Sequence, residues 1–286
     1  MKHGALRDAL VLVGVFAGLL LGLYLLLGTW PPAVIVESGS MMHADDEVSY
    51  GRFGTIDPGD LVLVKKVGSV DDVTTLVEGG RDRYGKPGDV IVYHKGIDPD
   101  GTPIIHRAVA YIEVVADGYD VRWSDEGACE GGATKTQRDG HAWCHYGPEG
   151  VYIPSVPVRG VTPTSPYRAP ASGFMTKGDN PVTNRQTDQE SRLSQNATRV
   201  AVPVPLEWIE GKGRAEVPWL GLIKLSLAGK RNEANPPAAW VKVGSAYAPK
   251  DLWVMLGVTL FLVVGVPLLY DGYRAMQKRR GPKGPT

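Results

Sequence analysis

The stretch IIHRAVAYIEV, residues Ile104–Val114, holds β-branched and aromatic residues with no glycine or proline, the composition of a strand. It also carries an adjacent His106–Arg107 pair. Similar pieces lie on either side: DLVLVKKV from Asp60, GDVIVYHK from Gly88, GYDVRW from Gly118 and TRVAVPVPLEWI from Thr198. Glycine and proline punctuate the chain between them, and no amphipathic helical period of useful length intervenes. The middle of the chain is therefore expected to be mainly β, a twisted or barrel-like set of antiparallel sheets. Two polar stretches read as loops: Asp71–Pro87, and an insertion over Gly127–Gly150. GRAEVPWLGLIKLSLAG, from Gly213, reads either as core or, through Trp219, as an aromatic at the lipid headgroup level.

The two ends differ from the middle. ALVLVGVFAGLLLGLYLLLGTW, Ala9–Trp30, has no charge over 22 residues, and LWVMLGVTLFLVVGVPLLY, Leu252–Tyr270, has none over 19. Either is long enough to cross a bilayer as a helix. The first is too long for the apolar part of a secretory signal, and WPPAVIVE offers no convincing small-residue cleavage site, so an uncleaved anchor is expected. The second has no polar face, which disfavours a buried core helix. Lys2 and Arg7 precede the first run; Arg274, Lys278, Arg279, Arg280 and Lys283 follow the second. The excess of basic residues predicts that both termini are cytoplasmic. The expected organisation is a short cytoplasmic N-terminus (1–8), a membrane anchor (9–30), an extracytoplasmic β-rich domain (31–250), a second membrane helix (252–270) and a basic cytoplasmic tail (271–286).

The 31 basic and 31 acidic residues cancel, so no net charge points to nucleic acid. The only cysteines, Cys129 and Cys144, both fall in the outer segment. An oxidising exterior favours a disulfide between them. A metal site with His141 and His145 is the competing reading, although the spacing matches no standard zinc pattern. Asn196-Ala197-Thr198 is a glycosylation sequon.

The chain leaves its first apolar run and enters VIVESGSMMHADD, from Val34. Serine and glycine here form an ordinary turn, or the turn carries a nucleophile, which would need a base beside it. His43 is too close along the chain to Ser40 to act easily as that base. His94 and His106 lie on expected strands, and FMTKGDNPVTNRQTDQ supplies Asp179 and Asp188.

Three separated pieces, SGSM (38–41), IIHR (104–107) and TKGDN (176–180), follow in this order behind an N-terminal anchor. Together they resemble type I signal peptidases of the archaeal and endoplasmic-reticulum branch. PGDLVLVKK and GDVIVYHK are similar to that family's connecting strands, and VPWLGLIKL to a late membrane-proximal segment. The resemblance spans roughly Val34–Asp188, with a weaker patch near Val217–Leu225. It implies that Ser40, the serine before the methionine, is the nucleophile. His106 stands where the bacterial branch has a lysine base, which implies a Ser–His version. Asp179 matches the motif's first aspartate. Asp188 is the choice for the second acidic position, and a different register would put Asn184 nearby. Met42–His43 departs from the acidic residue and proline that many relatives have after SGSM.

On this reading His106 takes the Ser40 proton and returns it to the leaving amine, while Asp179 or Asp188 orients the imidazole. The Ser40 N–H and the Ser38 hydroxyl would serve the oxyanion. Small pockets would select small residues before the cleavage site. No metal or organic cofactor is called for. The implied partners are signal-peptide-bearing preproteins and the lipid bilayer, with the translocation machinery a further candidate. Two other readings are a non-catalytic cell-surface binding protein on the same β scaffold, and a Ser–Lys membrane protease using Lys95 or Lys65.

Overall fold

A computed structural model describes residues 2–43, 54–94, 101–153, 166–184, 187–189, 202–233 and 236–279. The sequon at Asn196, Lys95 and the end of the basic tail lie outside the described residues.

Helix α1, Lys2–Leu27, carries the first apolar run, and its Leu10–Leu27 window is long and apolar enough to cross a membrane. The chain then enters strands β1 (Ala33–Ile35) and β2 (Leu61–Lys65), which pair antiparallel. Two short strands, β3 (Asp82–Arg83) and β4 (Lys86–Pro87), make a small hairpin within the expected 71–87 loop. Four longer strands follow: β5 (Val90–Tyr93), β6 (Ile104–Val115), β7 (Gly118–Trp123) and, after an excursion, β8 (Thr134–Arg138). Strands β9 (His141–Tyr146), β10 (Gly173–Lys177) and β11 (Ile209–Val217) complete one antiparallel sheet. Its order is β1-β2-β11-β5-β6-β7-β9-β8, with β10 on β6.

Strand β6 organises the sheet. Arg107 pairs with both Val90 and Lys177, and Ile112 with both Val121 and Gly173. Strands β5 and β7 therefore share one edge of β6, while β10 takes the other. Because successive side chains alternate across a strand, His106 and Arg107 face opposite sides of the sheet. On the His106 side, Ile91, Tyr93, Ala108 and Phe174 are buried together with Val204 and Ile209. On the other side, Val36, Met41, Ile56, Val62 and Val90 form a second apolar cluster.

Two expectations need correction. The insertion over 127–150 is not simply a loop: it contains the β8–β9 hairpin, and β9 pairs with β7 inside the main sheet. Asp139 and Gly140 both have positive φ (53° and 76°), the backbone that a two-residue hairpin turn requires. Cys129 and Cys144 are joined by a disulfide that ties the preceding loop to β9. Of the expected strand over 198–209, residues 198–201 lie outside the described residues, and the remainder is displaced. Val204 makes only an isolated bridge to Phe174, Leu206–Trp208 form a 3-10 turn, and the strand itself starts at Ile209. Pro203 and Pro205 lack the N–H groups that a central strand would use.

After β11 a short helix α2, Gly221–Leu227, and the hairpin of β12 (Trp240–Val243) and β13 (Ala246–Pro249) lead into helix α3, Lys250–Leu260. One π-helical turn, Phe261–Gly265, connects α3 to α4, Val266–Arg279. Pro267 has no N–H to donate back into the preceding turn, so a local widening there is the expected accommodation. The continuous helix Lys250–Gln277 is the second one long and apolar enough to span a membrane. Trp219 joins this helix to the sheet domain. It is buried with Leu222, Leu252 and Leu256, its indole N–H donates to Thr259 (2.9 Å), and its backbone N–H donates to buried Asp60 (2.8 Å).

Candidate functional site

The sheet brings the three separated motifs to one place. Ser40 lies in the turn after β1, closed by the Met42 N–H donating to the Gly39 carbonyl (3.2 Å). The TKGDN segment grips that turn. Asn180 donates through its backbone N–H to the Ser40 carbonyl (2.9 Å) and through Nδ2 to the Gly39 carbonyl (2.8 Å). Asn184 Nδ2 donates to the Ser40 carbonyl as well (3.1 Å). Gly178 is required here, because a Cβ would lie 2.5 Å from the Ser40 carbonyl oxygen. The last β10–β6 pair is Lys177 with Arg107. One residue further along that register Gly178 comes abreast of His106, so the Ser40 backbone sits over the position beside the histidine.

His106 is buried on β6, and its Nδ1 lies 2.6 Å from Asp188 Oδ2. Facing a carboxylate, Nδ1 carries the proton and donates it, which leaves Nε2 free to accept one. Asp188 is itself fixed. It accepts from the Thr176 hydroxyl (2.7 Å) and the Tyr93 hydroxyl (3.0 Å), and its N–H donates to the Thr176 carbonyl (2.8 Å). Burial alone would push its pKa up. The charge of His106 and the hydrogen bonds from His106, Thr176 and Tyr93 outweigh burial and hold it below the ordinary carboxylate value. Burial and the neighbouring Asp188 push the Tyr93 hydroxyl well above its usual pKa, so it stays a donor.

Asp179 faces the other way. Arg107 Nε donates to its Oδ1 (2.9 Å) and Nη2 to its Oδ2 (2.6 Å), while Lys86 Nζ lies 3.6 Å from Oδ1 and His43 Nε2 3.3 Å from Oδ2. Against its burial, the bonds from His43 and Arg107 and the charges of Arg107 and Lys86 hold Asp179 far below the ordinary value. Arg107, almost fully buried, also donates to the carbonyls of Arg83, Lys86, Pro87 and Gly88 (2.7–3.2 Å). Arg107 and Asp179 thus clamp the β3–β4 hairpin beneath the site. Of the two candidate aspartates, Asp188 meets the imidazole and Asp179 belongs to this clamp.

Ser38 Oγ donates to Ser40 Oγ (3.3 Å), and among the described residues no hydrogen bond joins Ser40 Oγ to His106. Lys177 is buried on the Arg107 side, where its Nζ donates to the Gly178 carbonyl (3.2 Å), and burial with the nearby charge of Lys86 lowers its pKa. Lys65 is exposed on β2 opposite Lys212. His94 pairs with Glu210, and His145 Nδ1 lies 2.8 Å from Asp120. Among the described residues no group of histidine, cysteine and acidic side chains is arranged to hold a metal.

Sequence reasoning passed over Thr176 and Tyr93, the residues that aim Asp188. Thr176 precedes the Lys-Gly pair of TKGDN, and Tyr93 shares a face with His106; only the strand pairing turns those positions into one cluster. No family model matches the chain, and neither a curated protein nor a solved structure matches it.

Proposed function

We propose that this chain is a membrane-bound serine endopeptidase of the type I signal peptidase kind, removing N-terminal signal peptides from exported preproteins after small residues. The observation that carries the reading is the Asp188–His106 pair near the turn that holds Ser40, in a chain with long apolar helices on both sides of the sheet in sequence. His106 Nε2 would accept the Ser40 proton as Oγ attacks the scissile carbonyl, then return it to the departing amine. Asp188 would stabilise the imidazolium, and the Ser40 N–H with the Ser38 hydroxyl would face the developing oxyanion.

Two apolar helices fit a chain anchored at both ends, with residues 31–250 outside and both termini cytoplasmic. That arrangement would set the Ser40 turn close to the bilayer, within reach of a membrane-inserted signal peptide. A disulfide between Cys129 and Cys144 suits the oxidising side.

The test is to incubate the detergent-solubilised full chain with a preprotein and sequence the new N-terminus. Cleavage after a small residue that follows an apolar segment is the expected result. An intact preprotein, or cuts scattered along it, would overturn the assignment.

A further inference from the structure

A cleft of about 430 Å³ opens between the Ser40 turn and the hairpin that leads into α3. We propose that this cleft is a subsite for one bulky apolar side chain of the peptide substrate, distinct from the small pockets expected next to the scissile bond. The proposal rests on the peptidase reading of Ser40, His106 and Asp188.

The cleft adjoins the Ser40 turn. Met42 and His43, the residues directly after the Ser40 turn, form one wall, and Asn180, whose side chain grips Gly39, belongs to its lining. Val182 lines it from the loop beyond Asn180, and Pro237 and Trp240 from the far side. The lining is largely apolar with few polar groups, the character of a site that buries an apolar group while its polar atoms fix orientation. Its size falls in the range of ligand pockets, roughly 300–1,000 Å³. An alanine side chain would leave most of it empty.

The far wall is held rigidly against the nucleophile turn. A Cβ on Gly39 would lie 3.1 Å from the Trp240 ring, so the indole packs directly over the residue before Ser40. Asn232 fastens the same region: its Nδ2 donates to the Glu37 carbonyl (2.7 Å) and to the Tyr247 carbonyl (2.9 Å), and its Oδ1 accepts from the Tyr247 N–H (2.7 Å). Pro249 and Lys250, at the start of the second apolar helix, close the cleft on one side. A peptide approaching along that helix would bring apolar side chains to this opening first. The side chain bound here is therefore of the leucine or phenylalanine class, drawn from the part of the substrate nearest its apolar segment.

The test uses the full chain in detergent and a preprotein series in which each position flanking the scissile bond is alanine or leucine. The readout is the leucine-to-alanine ratio of kcat/KM within each variant, so a general loss of activity cancels. Wild type should prefer leucine by about tenfold at one position, the discrimination an apolar pocket commonly gives. Val182→Trp, at an exposed position, fills the cleft and should bring that ratio to about one; Ala238→Trp fills it from the opposite side and guards against a local folding defect. Trp240→Ala, which removes a wall, should also lower the ratio. Ser40-dependent cleavage with no leucine preference at any position, or a preference that survives both filling variants, would overturn the subsite alone. Absence of any Ser40-dependent cleavage would instead bring down the peptidase reading and the subsite with it.

Discussion

His106 Nδ1 is 2.6 Å from Asp188 Oδ2, while Asp179, nine residues earlier, is held by Arg107 on the opposite side of the sheet. The two aspartates of one short segment thus have separate tasks, and substitution should separate them. Asp188→Asn removes the charge that balances the imidazolium and favours the wrong tautomer. It should lower kcat by about 10³–10⁴-fold, with a drop in melting temperature smaller than that of Asp179→Asn.

Asp179→Asn should act on stability first. It leaves the Arg107 guanidinium buried without its counter-charge, a change that costs about 3–5 kcal/mol. Thermal unfolding in detergent should show a large drop in Tm, and the variant that remains folded at low temperature should retain substantial turnover. A normal Tm with turnover as low as that of Asp188→Asn would reverse the two assignments.

His106→Lys tests whether the cluster tolerates a lysine base. Such a base works only when its pKa is lowered, and Asp188, so close to the imidazole and itself ionised, would keep an ammonium charged. The variant should be nearly inactive at neutral pH. Near-normal cleavage by His106→Lys would mean that Asp188 does not control the protonation of this position.

The buried acids make stability depend on pH in two opposite senses. Asp179 and Asp188 are held below the ordinary carboxylate pKa, so their contribution is present above the unfolded-state value of about 3.9 and is lost as pH falls through the folded-state values. Burial pushes Asp60 up to about 7 against the hydrogen bonds from Trp219 and Asp57, and burial with the nearby Asp57 charge pushes Glu216 up to about 7. The folded chain then keeps protons that the unfolded chain releases, so stability declines as pH climbs from about 4 to about 7. Tm should therefore be higher near pH 5 than at pH 7.5. Glu216→Gln, which keeps an acceptor for the Gly54 N–H, should flatten the decline. A wild-type Tm that rises over this interval would contradict the account.

The main strands were legible because β2, β5, β6 and β7 are short apolar runs bounded by Gly, Pro or polar residues. Strand β11 was not, since IEGKGRAEV intersperses Gly211 and Gly213 with Glu210, Lys212, Arg214 and Glu216. It is a strand because β2 and β5 both pair with it, a tertiary cause with no local signal. The β8–β9 hairpin did carry one, the Asp139-Gly140 turn, masked by surrounding glycines, histidines and charges. Ser40, His106 and both aspartates stood out by motif. Which aspartate meets the imidazole depends on the alternation of faces along β6 and β10, and that follows only from their register.

The Cys129–Cys144 bond closes a loop with a sequence separation of 15, worth about 3 kcal/mol in the chain-entropy model. Replacing both cysteines by serine should lower Tm and leave cleavage measurable below the new transition. Loss of cleavage with unchanged folding would place this hairpin in the catalytic machinery.

The most direct test of the central claim is a double-mutant comparison of preprotein cleavage by wild type, Ser40→Ala, His106→Ala and the combined variant. Groups that act as one unit are strongly non-additive. Each single substitution should reduce turnover to nearly the same residual level, and the double variant should fall no further. Cleavage by His106→Ala close to wild type, or losses that multiply in the double variant, would contradict the claim that Ser40 and His106 work as nucleophile and base.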